Sequence, residues 1–135
     1  MVKLTVLLPT YNERENIRIL IPLLERYLKG EDFEVLVVDD NSPDRTWEEA
    51  LRLNAIYSNV RVLRRVGKRG LATAVIDGIK EAKGEFICVM DSDLQHPPGI
   101  VPLLLRRAEE GGADLVIASR YVKGGYCLGW PLSRR

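Results

Sequence analysis

Oxygen-bearing side chains at alternate positions follow an apolar segment in the second half of the chain. Residues 86–90 are apolar, and Asp91, Asp93 and Gln95 come after them. Alternate side chains of an extended segment project to the same side, so these three groups can converge on one point. Their oxygens suit a hard divalent cation that keeps open positions for phosphate. An acidic loop without a ligand would show the same pattern, because Asp is common where strands end.

A short basic segment could bind anions. Lys68, Arg69 and Gly70 precede a helix-like segment, and the N-terminus of a helix attracts anions. We therefore expect a loop that faces phosphate, although such clusters also occur on solvated surfaces or against membranes. The same cluster contains Arg61, Arg64 and Arg65. Neither a P-loop motif nor a G-x-G-x-x-G motif is present, so P-loop and dinucleotide chemistry are not indicated.

Two more polar loops follow apolar segments. Asp39 and Asp40 come after residues 33–38, and one carboxylate of such a pair could accept a ring N–H or a ribose hydroxyl while the other holds the loop. Tyr11 could stack on a flat base, or it could be a partly buried core residue. Glu13 could accept a ribose hydroxyl, or it could simply favour the dipole of the following helix.

The remaining side chains that could take part in chemistry give weaker indications of function. Arg120 follows the last apolar segment and could direct its guanidinium to an anion near the metal, or form a surface ion pair. His96 is the only histidine, and without a serine or cysteine motif beside it we do not expect it to activate a nucleophile. Cys88 and Cys127 have no partners at metal-ligand spacing, which argues against a zinc site or a disulfide scaffold.

The segments that must position these groups alternate between strand-like and helix-like patterns. The predicted strands are 4–8, 33–38, 60–63, 85–90 and 115–118, and the predicted helices are 16–28, 42–57, 71–82 and 99–110. Pro9 should end the first strand, and Pro22 should bend the first helix or leave one acceptor unpaired. Ser42 and Pro43 should form the N-cap and first turn of the second helix.

This alternation predicts an α/β fold with a parallel sheet flanked by helices. Such sheets bind ligands at the carboxyl ends of their strands. The polar loops would meet at that edge, and they are 9–13, 39–44, 91–96 and 119–121. Their coincidence is the strongest argument from the residues for a site. A length of 135 residues suits one domain, residues 1–135, and a net charge of +1 gives no sign of a nucleic-acid partner.

Taken in order, these loops resemble those of the family 2 inverting glycosyltransferases, within the dolichyl-phosphate mannose synthase group. The resemblance lies in LPTYNERENI (8–17), VVDDNSPDRT (37–46), GKRGLATAV (67–75), MDSDLQHPP (90–98), ASRYVKGG (118–125) and GWPLSRR (129–135). It implies a Rossmann-like nucleotide-diphospho-sugar transferase (GT-A) fold. It also implies transfer of mannose from GDP-mannose to dolichyl or polyprenyl phosphate, with inversion and with Mg²⁺ or Mn²⁺ as cofactor.

The resemblance further implies roles for individual residues. Those that would hold the nucleoside are Pro9, Tyr11, Glu13, Val38 and Asp40. Those that would lie along the diphosphate are Asp91, Ser92 and Asp93, and those around the metal are Asp91, Asp93 and Gln95. Lys68 and Arg120 would contact the donor, and Arg120 could instead contact the acceptor phosphate. The catalytic set would be Asp91, Asp93 and Arg120. Ser92 stands where alanine is commoner in the group.

The last residues of the chain, and the lipid acceptor, bear on domain organisation and location. Residues 124–135 are interrupted by glycines and close no element, so we interpret the chain as the N-terminal, nucleotide-sugar-binding portion of a domain whose C-terminal part is missing. An exposed sheet edge would favour a homodimer. No apolar run is long enough to span a bilayer, and a lipid acceptor implies a cytoplasmic protein that is peripheral at the cytoplasmic face of a membrane.

Three other functions fit some of the same residues. The donor could be a UDP-sugar, used by a glucosyl-type transferase on polyprenyl phosphate or a glycan. The chain could also be a non-catalytic nucleotide-sugar-binding fragment. A phosphorylated receiver domain would explain the acidic pair at positions 39 and 40, but in that fold the pair should end the first strand, whereas here it ends the second.

Overall fold

The fold is a parallel sheet of five strands in the order β3-β2-β1-β4-β5. It is seen in a computed structural model, which describes residues 2–94, 97–111 and 115–118, the last segment by its backbone alone. The strands are β1 (Leu4–Thr10), β2 (Phe33–Asp39), β3 (Val60–Arg64), β4 (Phe86–Met90) and β5 (Leu115–Ala118). The helices are α1 (Arg14–Tyr27), α2 (Thr46–Ile56), α3 (Leu71–Glu81) and α4 (Ile100–Gly111).

The sheet is buried on both faces, which explains why its central strands are apolar without alternation. On one face, side chains such as Val6 and Leu8 pack against the apolar sides of α1, α2 and α4. On the other face, Leu7 and Val38 pack against α3, which approaches closely at Gly78. The predicted α/β architecture with a parallel sheet between helices is confirmed.

Pro9 and Pro22 both lie inside elements rather than at their ends. β1 continues to Thr10, so the prediction that Pro9 ends it is wrong. The Thr10 carbonyl accepts the Asp40 N–H, so the backbone groups of Thr10 face β2 and those of Pro9 face β4. On that side, pairing with β4 stops at Leu7. The missing N–H of Pro9 therefore removes no sheet hydrogen bond. α1 likewise runs through Pro22, which deprives the Arg18 carbonyl of its helical donor, as expected.

The second helix begins later than predicted. α2 starts at Thr46, and Arg45 before it has a left-handed φ of 61°. Ser42 does not cap this helix, because its N–H and hydroxyl both donate to the buried Asp39 carboxylate. Asp44 instead accepts the Thr46 N–H at 3.0 Å. The prediction of a Ser42 N-cap is therefore wrong, because a contact with β2 takes up the capping side chain.

Residues 42–46 also anchor the start of α1. Glu13, which precedes that helix, makes no side-chain cap. Its N–H donates to the Thr46 hydroxyl at 3.0 Å, and the Arg14 N–H donates to an Asp44 carboxylate oxygen at 3.2 Å. The first turns of α1 and α2 are thus capped by one shared loop, which fixes both beside the carboxyl ends of β1 and β2. Throughout the described part of the chain, no helix is both long and apolar enough to cross a membrane.

Candidate functional site

A cavity of about 250 Å³ opens at the carboxyl edge of the sheet, beside β1. It is smaller than pockets for drug-sized ligands, at about 300–1,000 Å³, but it is large enough for a single flat ring system. Residues from the ends of two strands and from the start of α3 line it. They are Pro9, Thr10, Tyr11, Asp40, Arg69, Gly70, Leu71 and Ala74. Pro9, Tyr11 and Asp40 are thus brought together, as their predicted role in holding a nucleoside requires.

Tyr11 presents an aromatic face at this cavity. The Arg69 guanidinium carbon lies 4.1 Å from the centroid of the Tyr11 ring, which is a cation–π distance. A planar ligand that stacked on this face would have to displace the guanidinium or use the opposite face. Sequence reasoning placed Arg69 in a loop facing phosphate, but it missed this contact, since nothing in the pattern links residue 69 to residue 11.

Asp39 holds the loops together beneath the cavity. It is fully buried, and its carboxylate accepts the Thr10 hydroxyl at 2.7 Å and the Ser42 hydroxyl at 2.6 Å. The Ser42 oxygen in turn accepts the Asn12 N–H at 2.9 Å. Asp39 therefore stabilises the turns after β1 and β2. This is the loop-holding role that the acidic pair predicted for one of its members.

Asp40 is paired with a buried arginine. One of its oxygens, Oδ1, lies 2.8 Å from Arg65 Nε, and the other, Oδ2, accepts the Gly70 N–H at 2.9 Å. Only 2% of the Arg65 side chain is exposed, and it also contacts Asp77 and Thr73 of α3. The sequence placed Arg65 in a basic surface cluster. The structure instead buries it between the end of β2 and the first turns of α3.

Glu13, Asp91 and Asp93 form an acidic group at the same edge. Burial is the main reason that the pKa of Glu13 is raised above its usual value. The negative charges of Asp93, Asp44 and Asp91 raise this pKa further, whereas a hydrogen bond from Asn16 lowers it. The loops after β1, β2 and β4 therefore bring carboxylates close enough to repel one another. A bound cation would relieve this repulsion.

The other predicted site residues either do not line the cavity or lie outside the described residues. Val38 is fully buried against α3 and does not line the cavity. Ser92 is also buried, and its hydroxyl has no hydrogen-bond partner among the described residues. Lys68 lies outside the cavity, with its ammonium 3.4 Å from Asp77. Gln95 and Arg120 lie outside the described residues, as does His96.

The donor chemistry at this edge fits a hard divalent cation. Asp91 and Asp93 supply carboxylate oxygens, the ligands that Mg²⁺ and Mn²⁺ prefer. Within residues 2–94, 97–111 and 115–118, no three His, Cys, Asp or Glu side chains are close enough to hold a metal ion. A cation at this position would therefore need further oxygens, such as those of a diphosphate or of Gln95.

Comparison with known sequences identifies the family. The profile of Glycosyl transferase family 2 matches residues 5–135. The dolichol-phosphate mannosyltransferase of Pyrococcus furiosus is 50% identical over 133 residues, which are 98% of this chain and 37% of that protein. The dolichol-phosphate mannosyltransferase of Saccharomyces cerevisiae is 38% identical over 141 residues, covering 99% of this chain and 51% of that protein. The chain thus spans about half or less of the length of these relatives.

Two solved structures share the fold. A mannosyltransferase of Pyrobaculum calidifontis in complex with GDP-Man and Mn²⁺ matches with a TM-score of 0.61 and 27% identity, covering 74% of this chain and 30% of that one. S. aureus TarS in complex with UDP-GlcNAc matches with a TM-score of 0.62 and 28% identity, covering 98% of this chain and 38% of that one. These neighbours confirm the predicted GT-A fold. With the profile match and the two relatives, they show that the chain belongs to glycosyl transferase family 2.

Proposed function

We propose that this chain is the nucleotide-sugar-binding part of an enzyme that transfers mannose from GDP-mannose to dolichyl or polyprenyl phosphate. The observation that carries the proposal is 50% identity, over 98% of the chain, to a dolichol-phosphate mannosyltransferase. The acceptor is a lipid, so we expect the protein to lie peripherally at the cytoplasmic face of a membrane. The predicted homodimer and the single domain over residues 1–135 remain predictions.

In this proposal the cavity takes the base of the donor. The Tyr11 ring would stack on it, and Asp40 would accept a ring N–H or a ribose hydroxyl. Both line the cavity, and Asp40 is 8% exposed there. Pro9 forms part of the wall, Glu13 would accept a hydrogen bond from the ribose, and Val38 would support the cavity from within the sheet. The donor diphosphate would then extend from the base towards the loop after β4.

The transfer step would take place beside the acidic group. Asp91 and Asp93, with Gln95, would hold Mg²⁺ or Mn²⁺, and a bound cation would neutralise charge on the diphosphate leaving group. Ser92 would lie along the diphosphate, with Lys68 and Arg120 as further donor contacts. A lipid phosphate is already an anionic nucleophile, so attack at the anomeric carbon needs no strong general base. We therefore propose a single displacement with inversion.

A UDP-sugar donor is the second candidate. It is favoured by the likeness to S. aureus TarS, which was solved with UDP-GlcNAc and matches over 98% of this chain. A cavity built from a tyrosine face and a carboxylate would accept either base. The choice between the two donors therefore depends on measured binding.

Calorimetric titration of GDP and of UDP into the chain, with and without Mn²⁺, tests the proposal. We expect GDP binding that requires Mn²⁺ and that Asp93→Ala weakens by at least about tenfold, as for loss of roughly 1.4 kcal/mol. Glu110→Ala removes an exposed carboxylate on α4 and should leave binding unchanged. Preference for UDP would support the second candidate. Binding of neither nucleotide would exclude a competent donor site in this chain.

A further inference from the structure

Arg65 is a charged side chain that is buried but has no role in the proposed transfer. It follows β3, and its guanidinium lies between two carboxylates, with Nε 2.8 Å from Asp40 Oδ1 and Nη1 3.2 Å from Asp77 Oδ2. Nη2 donates to the Thr73 hydroxyl at 2.9 Å. A buried arginine is retained only where its partners compensate the loss of hydration. These partners connect the end of β2 to the first turns of α3.

The pairing governs the orientation of Asp40. Arg65 Nε and Asp40 Oδ1 are both buried and in ionic contact, but their geometry is not that of an aligned hydrogen bond, and neither atom has another hydrogen-bond partner among the described residues. The opposite oxygen, Oδ2, accepts the Gly70 N–H. A carboxylate oxygen has two lone pairs, so Oδ2 can still accept a hydrogen from a ligand. Arg65 therefore contacts Oδ1 and leaves Oδ2 available to a ligand in the cavity.

Arg65 also holds the loop that carries Arg69, through its backbone and through its side chain. This loop, residues 66–70, contains two glycines with positive φ, Gly67 at 81° and Gly70 at 132°. Its end is attached to Asp40 through the Gly70 N–H, and its start is attached to β2 through the Arg65 N–H, which donates to the Asp39 carbonyl at 2.7 Å. Without the Arg65 guanidinium, the carboxylate could rotate and release the end of the loop.

We propose that Arg65 is a positioning residue of the nucleotide site, which acts through Asp40 and sets the 66–70 loop as one wall of the base cavity. The inference rests on the proposed function, since it assigns Asp40 to the base. Arg65 itself touches no substrate in this arrangement. Its effect on affinity should therefore depend on the presence of the Asp40 carboxylate.

A double-mutant cycle tests this dependence. The affinity for GDP in the presence of Mn²⁺ is measured by calorimetry for wild type, Arg65→Met, Asp40→Asn and the double variant. We expect each single change to weaken binding by about tenfold. The affinity of the double variant should lie within about twofold of that of either single variant, because both changes remove the same interaction. Effects that multiply to about a hundredfold, or an unchanged affinity in Arg65→Met, would overturn the proposal.

Two more variants separate positioning from general stability. Arg61→Met also breaks an ion pair with a buried carboxylate, that of Glu34 at 2.8 Å near the opposite edge of the sheet, and should leave GDP affinity unchanged. Arg65→Lys keeps a cation near Asp40 but can satisfy fewer partners, so it should restore part of the lost affinity. If Arg61→Met weakened binding as much as Arg65→Met, the effect would be one of stability and the proposal would fail.

Hydrogen exchange in the absence of nucleotide gives an independent readout. Amides of residues 66–70 should exchange at least about tenfold faster in Arg65→Met than in wild type, but not in Arg61→Met. If wild type bound neither GDP nor UDP, the proposed function would fail while this comparison would still decide whether Arg65 holds the loop. Equal exchange in the two arginine variants would overturn the inference in either case.

Discussion

Two glutamates on the same side of the sheet have opposite electrostatic surroundings. Glu49 on α2 is buried, and its carboxylate lies 2.6 Å from an Arg52 nitrogen and 2.7 Å from Arg18 Nε. The hydrogen bond from Arg52 is the largest cause that lowers the pKa of Glu49 to about 2. Among the described residues no ion pair is found for Glu13, and burial is the main cause of its raised pKa. Paired charge thus joins α1 to α2, whereas burial and neighbouring carboxylates dominate around Glu13 at the candidate site.

The Glu49 ion pairs should make stability depend on pH. Because the pKa of Glu49 is lower in the folded chain, their contribution is complete above pH 4.5 and is lost as the pH falls towards 2. Glu49→Gln should therefore lower the free energy of unfolding at pH 7 by about 1–2 kcal/mol, a value that allows for solvent screening of the half-exposed arginines. Urea unfolding at pH 7 and pH 3 measures this difference.

The pH dependence of this difference distinguishes a contribution of charge from one of packing. The difference between wild type and Glu49→Gln should shrink steadily between pH 5 and pH 2, because protonation of Glu49 makes the wild-type side chain neutral as well. Glu15→Gln is the control, since Glu15 is an exposed partner of Arg18 and should change stability by less than about 0.5 kcal/mol. A difference that stayed constant with pH would mean that packing, and not charge, stabilises this contact.

At the scale of elements, the contact of α3 with the sheet supports one wall of the cavity. α3 covers β1 and β2 on its side of the sheet, and Gly78 allows its close approach. A Cβ at this position would lie 2.5 Å from Leu7 Cδ1 and 3.0 Å from Val38 Cγ2, closer than side chains pack. The start of the same helix carries Leu71 and Ala74 into the cavity wall. A shift of α3 away from the sheet would therefore change the site.

Gly78→Ala should destabilise the chain even though alanine favours helices. We expect a loss of about 1–3 kcal/mol from overpacking against fully buried side chains. Gly111→Ala is the matched control, because the space around Gly111 is open and the change should be neutral or stabilising by up to about 1 kcal/mol. Thermal and urea unfolding of both variants measure this. Equal stability of Gly78→Ala and wild type would mean that α3 is not held against the sheet as described.

The sequence predicted elements better than it predicted the contacts between them. Apolar runs such as that of β4 identify strands because burial on both faces demands continuous hydrophobicity. The Ser42 cap was mispredicted because local preference cannot show that Asp39 competes for the same hydroxyl. Arg65 was taken for a surface residue because its partners are distant in sequence and meet it only after α3 crosses the sheet. Polar residues with long-range partners are therefore the ones that a pattern describes least well.

At the scale of the whole molecule, the carboxyl and amino edges of the sheet carry different groups of residues. The carboxyl edge carries the cavity and the acidic group, while the amino edge holds a buried ionic network around Glu34. Its carboxylate accepts the Thr5 hydroxyl at 2.6 Å, the Lys83 N–H at 2.7 Å and an Arg61 nitrogen at 2.8 Å. This network joins the first three strands to the loop before β4. No part of it lines the cavity.

Burial alone would raise the pKa of Glu34, but the hydrogen bonds from Thr5, Lys83 and Arg61 outweigh it, and the pKa is lowered. The carboxylate is therefore ionised and satisfied in the folded chain at neutral pH. Truncating it would leave the Thr5 hydroxyl and the Lys83 N–H without this acceptor. Loss of a buried, hydrogen-bonded charge is among the few single changes that strongly destabilise a domain.

Glu34→Ala should accordingly separate stability from function. We expect the free energy of unfolding to fall by about 2–4 kcal/mol at pH 7, measured in urea. Below the unfolding transition, GDP affinity should stay within about twofold of wild type. Glu85→Ala removes an exposed carboxylate at the same edge, and stability should change by less than about 0.5 kcal/mol. If Glu34→Ala weakened nucleotide binding about tenfold while the chain stayed folded, the two edges would be coupled through the strands and could not be treated as independent.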